Sequence, residues 1–206
     1  MTARKTPEQK LIAAATAEIV AHGWSGFSLT KAARKAAIPL ATLYEICPGK
    51  AALLPLMGKD VDLAFLRQDH AVDAGMPARD RAFDAILYWF EHLEPIRPVL
   101  VAIRDAGKDD PALLIDLLPM AGRSANWIAE VARLPDTGWR GFAVTRGIAL
   151  LMADTLPVWL DDERDLARTM AHLDRRLRMI EEWSESLEGL RRDASSNDDD
   201  NGPVSS

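Results

Sequence analysis

Cysteine is almost absent: among 206 residues only Cys47 carries a thiol. No internal disulfide can form, and no cysteine-based zinc site can assemble. The four histidines, His22, His70, His92 and His172, are scattered and make no metal-ligand pair. A glycine-rich phosphate loop is missing, as is any nucleophile–base motif. Neither catalysis nor a metal or cofactor is expected. The acidic run Asp161-Asp162-Glu163 reads as a helix cap with dipole-favouring acids rather than as a site. No stretch alternates in the manner of a strand, so the chain is expected to be all-α. An apolar region after the basic N-terminus is lacking, so no secretory signal is expected. Uncharged apolar runs stay below about 18 residues, so stable membrane insertion is not expected either. The cytoplasm of a bacterium is the expected location.

What is present is a soluble-protein composition, 48% hydrophobic and 27% charged, with an uneven distribution of charge. Residues 1–59 hold eight Lys/Arg and three acids, a net +5, in a chain whose total is −6. The remainder is therefore −11. A basic N-terminal module on an acidic body suits a DNA-binding head on a regulatory body. A solvated helix surface would also carry such charges.

The stretch 28–54 holds the strongest motif. Ser28 is a good helix N-cap. Leu29, Ala32, Ala33 and Ala36 then share one helical face. Ile38 plugs the turn, and a second helix begins near Pro39, whose fixed φ suits a first helical position. Leu43, Ile46 and Cys47 point inward, leaving Leu40, Ala41, Thr42, Tyr44 and Glu45 outside. Pro48-Gly49 ends that helix. Upstream, Thr6-Pro7-Glu8-Gln9 forms a capping box for a first helix with the stripe Leu11, Ile12, Ala15, Ile19 and Val20. His22-Gly23 closes it, and Trp24 with Phe27 seals the head. Such a helix-turn-helix can place its second helix in the DNA major groove.

Leu29 to Leu54, with Thr42-Leu43-Tyr44 followed by Pro48-Gly49-Lys50, resembles the DNA-binding domain of the TetR family of bacterial repressors. The resemblance covers about the first sixty residues. It implies an all-α TetR-like fold, with a helix-turn-helix domain at 1–50, a helical ligand-binding and dimerisation domain at 51–192, and a disordered tail at 193–206. It also implies a homodimer on double-stranded DNA and a repressor responsive to a small apolar ligand. Thr30, Lys31, Leu40, Ala41, Thr42, Tyr44 and Lys50 are the residues expected to face DNA, with Thr42, Tyr44 and Lys50 on phosphates. Ala37 stands where the family usually has glycine, Pro39 where it has serine, and Glu45 where histidine is common.

The body reads as a long helix from Lys50 to about Asp73, kinked or delayed by Pro55, then helices near 77–93, 97–107, 110–133, 137–160 and 164–190. Pro119 and Pro157 are expected to bend their helices. Phe83, Leu87, Tyr88, Arg104, Leu117 and Trp127 are candidates for an apolar ligand pocket; packed core is the competing reading. Gly147, Leu150, Leu173 and Leu177 are candidates for a dimer interface on the last two helices, again with core as the alternative.

A second resemblance overlaps the first. Gly138-Trp139-Arg140, Trp159-Leu160-Asp161-Asp162 and Leu173-Asp174-Arg175-Arg176 are similar to the C-terminal region of the lipid-binding accessory family of ubiquinone biosynthesis. This resemblance implies a TetR fold that binds an isoprenoid lipid and a hydroxylase partner, without DNA. That family ends in an amphipathic membrane-touching helix. Here Trp183, Leu187 and Leu190 precede an acidic tail.

Overall fold

A computed structural model describes residues 5–68, 73, 75–115, 117–135, 137–163 and 165–182. Trp183, Leu187, Leu190, the tail and His70 lie outside the described residues. Among the described residues the chain is helical throughout, with no strand.

The head consists of α1 (Pro7–Gly26), α2 (Leu29–Lys35) and α3 (Leu40–Ile46). The capping box forms as read. Thr6 Oγ1 accepts from the Gln9 amide at 3.3 Å, and Gln9 Oε1 accepts from the Thr6 amide at 3.2 Å. Because Pro7 has no N–H, the cap and first turn leave three such groups to satisfy, and the box satisfies two of them. Gly23 interrupts α1 with φ +69°, a left-handed conformation that glycine adopts without penalty. Leu11, Ile12, Ala15 and Ile19 are buried, but Val20 is 60% exposed, so the apolar stripe is narrower than the sequence pattern implies. Trp24 and Phe27 stack with ring centroids 6.1 Å apart and are both buried.

A 3-10 turn (Lys50–Ala52) leads into α4 (Leu53–Leu66). Pro55 falls in the first turn of α4, where its missing N–H has no helical partner to lose. It therefore delays the helix to Leu53 rather than kinking it. The body continues with α5 (Ala78–Leu93), a 3-10 turn (Glu94–Ile96), α6 (Arg97–Ala106), α7 (Ala112–Ile115), α8 (Leu118–Val131) and α9 (Gly138–Leu160). A further helix, α10, runs over 167–182. The expected single helix at 110–133 is two, because Pro119 opens α8 at its second position instead of bending a longer helix. Two arginines close helix C-termini, where cations suit the dipole. Arg81 donates to the Ala132 carbonyl at 2.9 Å, and Arg97 donates to the carbonyls of Trp159 and Asp162. Asp162 in turn accepts from the Thr169 amide at 2.6 Å and caps α10.

One apolar core runs through head and body without a break. α1 packs along α6 as well as on α2 and α4, so the head meets the body over a second surface beyond the covalent link. α9 is 23 residues long and, by length and composition alone, apolar enough to cross a membrane, with an 18-residue window of mean hydropathy 1.3. It nevertheless carries Arg140, Arg146 and Asp154, and it packs along α8 and α6.

The turn between α2 and α3 contains an observable strain. Ala37 has φ +54°, the left-handed region where a Cβ crowds the backbone at a cost of about 1–2 kcal/mol. Ala37→Gly relieves this strain but gains unfolded-state entropy that opposes about 0.4–1 kcal/mol of it. The expected outcome in urea is a higher midpoint with unchanged slope, worth about 0.5–1 kcal/mol. A lower midpoint would show that the turn is not strained.

Candidate nucleic-acid interface and ligand cavity

Ser28 Oγ accepts from the Lys31 amide at 3.4 Å and sets the start of α2. Ala32 and Ala33 are fully buried and let α1 approach. Pro39 is the cap residue of α3 rather than its first residue. Leu43 and Cys47 anchor α3 inward, at 5% and 1% exposure, while Ile46 is half-buried. That anchoring fixes the opposite face toward solvent: Leu40 and Tyr44 are exposed, as are Ala41 and Glu45, and Thr42 is half-buried. Thr30 and Lys31 are exposed at the start of α2 beside it. Six of the seven residues expected to face DNA thus gather on the two helices of one motif.

Lys50 is placed differently. Its ammonium donates to the Trp24 carbonyl at the end of α1 and lies 4.8 Å from the Trp24 ring centroid and 5.7 Å from that of Phe27. Burial pushes its pKa down. This inward cation–π contact differs from the outward phosphate contact expected of it. Nearby, Glu18 is buried at 2% exposure and accepts from Lys35, with His22 Nδ1 at 3.4 Å. The hydrogen bond from Lys35 and the neighbouring cations hold its carboxyl below the ordinary value. The basic surface of the head is therefore partly spent on its own packing. Cys47 donates to the Gly49 carbonyl at 3.3 Å, and burial raises its pKa.

The body holds a partly open cavity of about 290 Å³ between α4, α5, α6, α8 and α9. Trp89, Phe90 and Leu93 form one wall, Leu117 and Met120 a second, Met152 and Leu156 a third. Of the residues expected there, Arg104 and Leu117 line it; Phe83, Leu87, Tyr88 and Trp127 do not. Helical geometry explains the difference. Leu87 lies about 200° around α5 from Trp89, on another face. Tyr88 donates to Gln68 and packs against His92, with ring centroids 4.6 Å apart. Trp127 points outward at 45% exposure, while Ser124 and Ile128 on the same helix are buried. The cue in the sequence is the 3.6 period of the buried positions, which sets Trp89, Phe90 and Leu93 on one side of α5. Arg104 is not a free anchor, because it donates to Asp161 at 2.6 Å.

The interface candidates also divide. Leu150 is 70% exposed and Gly147 half-buried on α9. Leu173 and Leu177 are buried at 0% and 8% within their own chain, because α10 turns them inward. Salt bridges hold it there: Arg176 grips Asp154 of α9 at 2.7 Å, and Arg79 of α5 grips Asp174 at 2.5 Å. Large apolar side chains remain exposed on both helices, Trp139, Phe142 and Leu150 on α9 and Met179 and Ile180 on α10; Arg140 lies over the Trp139 ring and Arg146 over that of Phe142.

A three-helix helix-turn-helix head joined to a helical body with an apolar cavity defines a class of all-α folds. The crystal structure of the TetR transcriptional regulator from Nitrosomonas europaea ATCC 19718 is similar to it, with a TM-score of 0.63 and 18% identity, covering 85% of this chain and 98% of that one. The chain has the TetR-family fold. No family model matches it, and no curated protein does.

Lys50 is expected to act on stability. Lys50→Ala loses a charged hydrogen bond and a cation–π contact, and should lower head stability by about 1–2 kcal/mol. Thermal or urea unfolding measures it. A stability unchanged from wild type would return Lys50 to the solvent-facing group.

Proposed function

We propose that the protein is a cytoplasmic, ligand-responsive transcriptional regulator of the TetR type, binding double-stranded DNA as a homodimer. The observation that carries this reading is the exposed face of α3. Leu43 and Cys47 lock the helix by burial, and Leu40, Ala41 and Tyr44 are presented beside Thr30 and Lys31 of α2. Large side chains held at a helix surface by an anchored opposite face are what major-groove docking requires. Lys31 and Tyr44 are the proposed phosphate contacts, with Thr42 behind them. A small apolar ligand fits the cavity. A second copy would cover Trp139, Phe142 and Leu150, since large apolar side chains exposed together on one helix, here interleaved with Arg140 and Arg146, suit an interaction site.

One observation favours a second reading, a lipid-binding accessory protein of ubiquinone biosynthesis without DNA binding. Glu45 adds an anion to the reading face, and Lys50 is withdrawn from it. Anisotropy titration on a duplex from the region upstream of its own gene separates the two readings, together with mass spectrometry of lipid extracted from the purified protein. DNA binding reversed by the extracted molecule supports the regulator. A bound isoprenoid quinone intermediate and no DNA binding supports the accessory protein.

Two variants extend the test. Lys31→Ala should weaken binding across all sequences and reduce the slope of log K against log salt by about one counterion; an unchanged slope removes Lys31 from the phosphate contacts. Leu150→Arg places a charge in the face proposed to be shared, and should yield folded monomers in sedimentation. A wild type already monomeric at micromolar concentration ends the dimer proposal.

A further inference from the structure

The cavity and the helix leading to the head share a buried carboxylate. Asp62 on α4 is 4% exposed. Its Oδ1 accepts from Trp89 Nε1 of α5 at 3.1 Å and from Ser124 Oγ of α8 at 2.6 Å. Its Oδ2 accepts from Arg123 Nε of α8 at 3.1 Å. Trp89 and Ser124 also line the cavity. The polar groups of that wall are therefore turned away from the cavity and toward α4. A buried charge held by three donors is costly to leave unpaired, so this cluster has one well-satisfied arrangement and only poorer alternatives.

Gly58, one turn earlier on α4, brings the backbone close to the same part of α8. A Cβ there would lie 2.6 Å from Met120 Cε and 2.9 Å from Arg123 Nη2. Gly58 and Met120 line the cavity as well. α4 thus meets the cavity directly at Gly58 and, through the hydrogen bonds of Trp89 and Ser124, indirectly at Asp62. A molecule that fills the cavity and shifts Trp89, Met120 or Ser124 must strain the Asp62 cluster.

We propose that Asp62 is a positioning residue that converts filling of the cavity into release of α4 from α5 and α8. The consequence at DNA rests on the regulator reading; the release of α4 does not. Coupling of this kind is reciprocal: an occupant that loosens the cluster binds tighter once the cluster is already loose. A residue of purely structural value would behave otherwise, since its loss would weaken both α4 and the cavity.

The experiment uses the full chain and N-phenyl-1-naphthylamine, a neutral apolar fluorescent probe, with hydrogen exchange of residues 53–66 followed by mass spectrometry. In the wild type, saturating probe should accelerate exchange in α4 by about fivefold or more. Asp62→Asn keeps the side-chain volume and one acceptor oxygen but loses the ion pair. It should exchange faster in α4 before probe is added, bind probe about fivefold tighter, and respond to it less than about twofold. Arg123→Met is the second variant. Its side chain is 38% exposed and outside the cavity wall, so it leaves the cavity intact while freeing Oδ2, and should move in the same direction. The inference is overturned by absence of probe binding, by no change in wild-type α4, by equal responses in wild type and variants, or by weaker probe binding in both variants. A parallel DNA titration keeps the two readings apart. Lost DNA binding with the α4 response intact sinks the regulator and leaves the role of Asp62 standing.

Discussion

α4 belongs to two packing units at once, and the rest of the molecule depends on that constraint. Leu53, Leu54, Met57, Val61 and Phe65 are all buried, and the helix carrying them packs on α1 of the head and on α5 and α8 of the body. Burying each such side chain is worth about 1.5–3 kcal/mol. A helix invested in this way cannot move by bending freely; it moves when a packed arrangement is exchanged for another. The continuous core and the contact of α1 along α6 tie the head still more closely, so a displacement of α4 would be passed to the packed helices of the head rather than absorbed in a hinge.

The local grammar of the head was legible in the sequence. Thr6, Pro7 and Gln9 make a box whose hydrogen bonds are confined to four residues, and Ser28 caps the helix that follows it. Ala37 at the turn takes the left-handed conformation that a glycine would normally supply. These features depend on neighbours in sequence, and short-range geometry determines them. The partner of Lys50 was not legible, because Trp24 is remote in sequence and only the folded head brings its carbonyl within reach. Leu173 and Leu177 were recognised as an apolar stripe. A stripe says that one face is buried, and gives no sign whether its own chain or a second copy covers it.

The cavity shows the same division. Its helices are legible as apolar stretches, whereas the residues that form its wall depend on their phase around each helix. Trp89 carried the cue: it shares a face with Phe90 and Leu93, and its indole N–H needs a partner when buried. That partner is Asp62, a carboxylate on the buried face of α4. Arg104 presents the opposite case, a cation at the cavity edge whose charge Asp161 already meets. The chemical character of the cavity follows from these pairings: it offers an occupant contact area and very few polar atoms.

Cys47 has a practical consequence. As the only thiol in the chain, 1% exposed, hydrogen-bonded to Gly49 and raised in pKa by its burial, it is poorly disposed to form the reactive thiolate. The native protein is therefore expected to react slowly with maleimide. A cysteine introduced on the outer face of α3, or on the open side of α9, would take a spin label or fluorophore almost alone. Distances between head and body, or between two copies, could then be followed without first rebuilding the core.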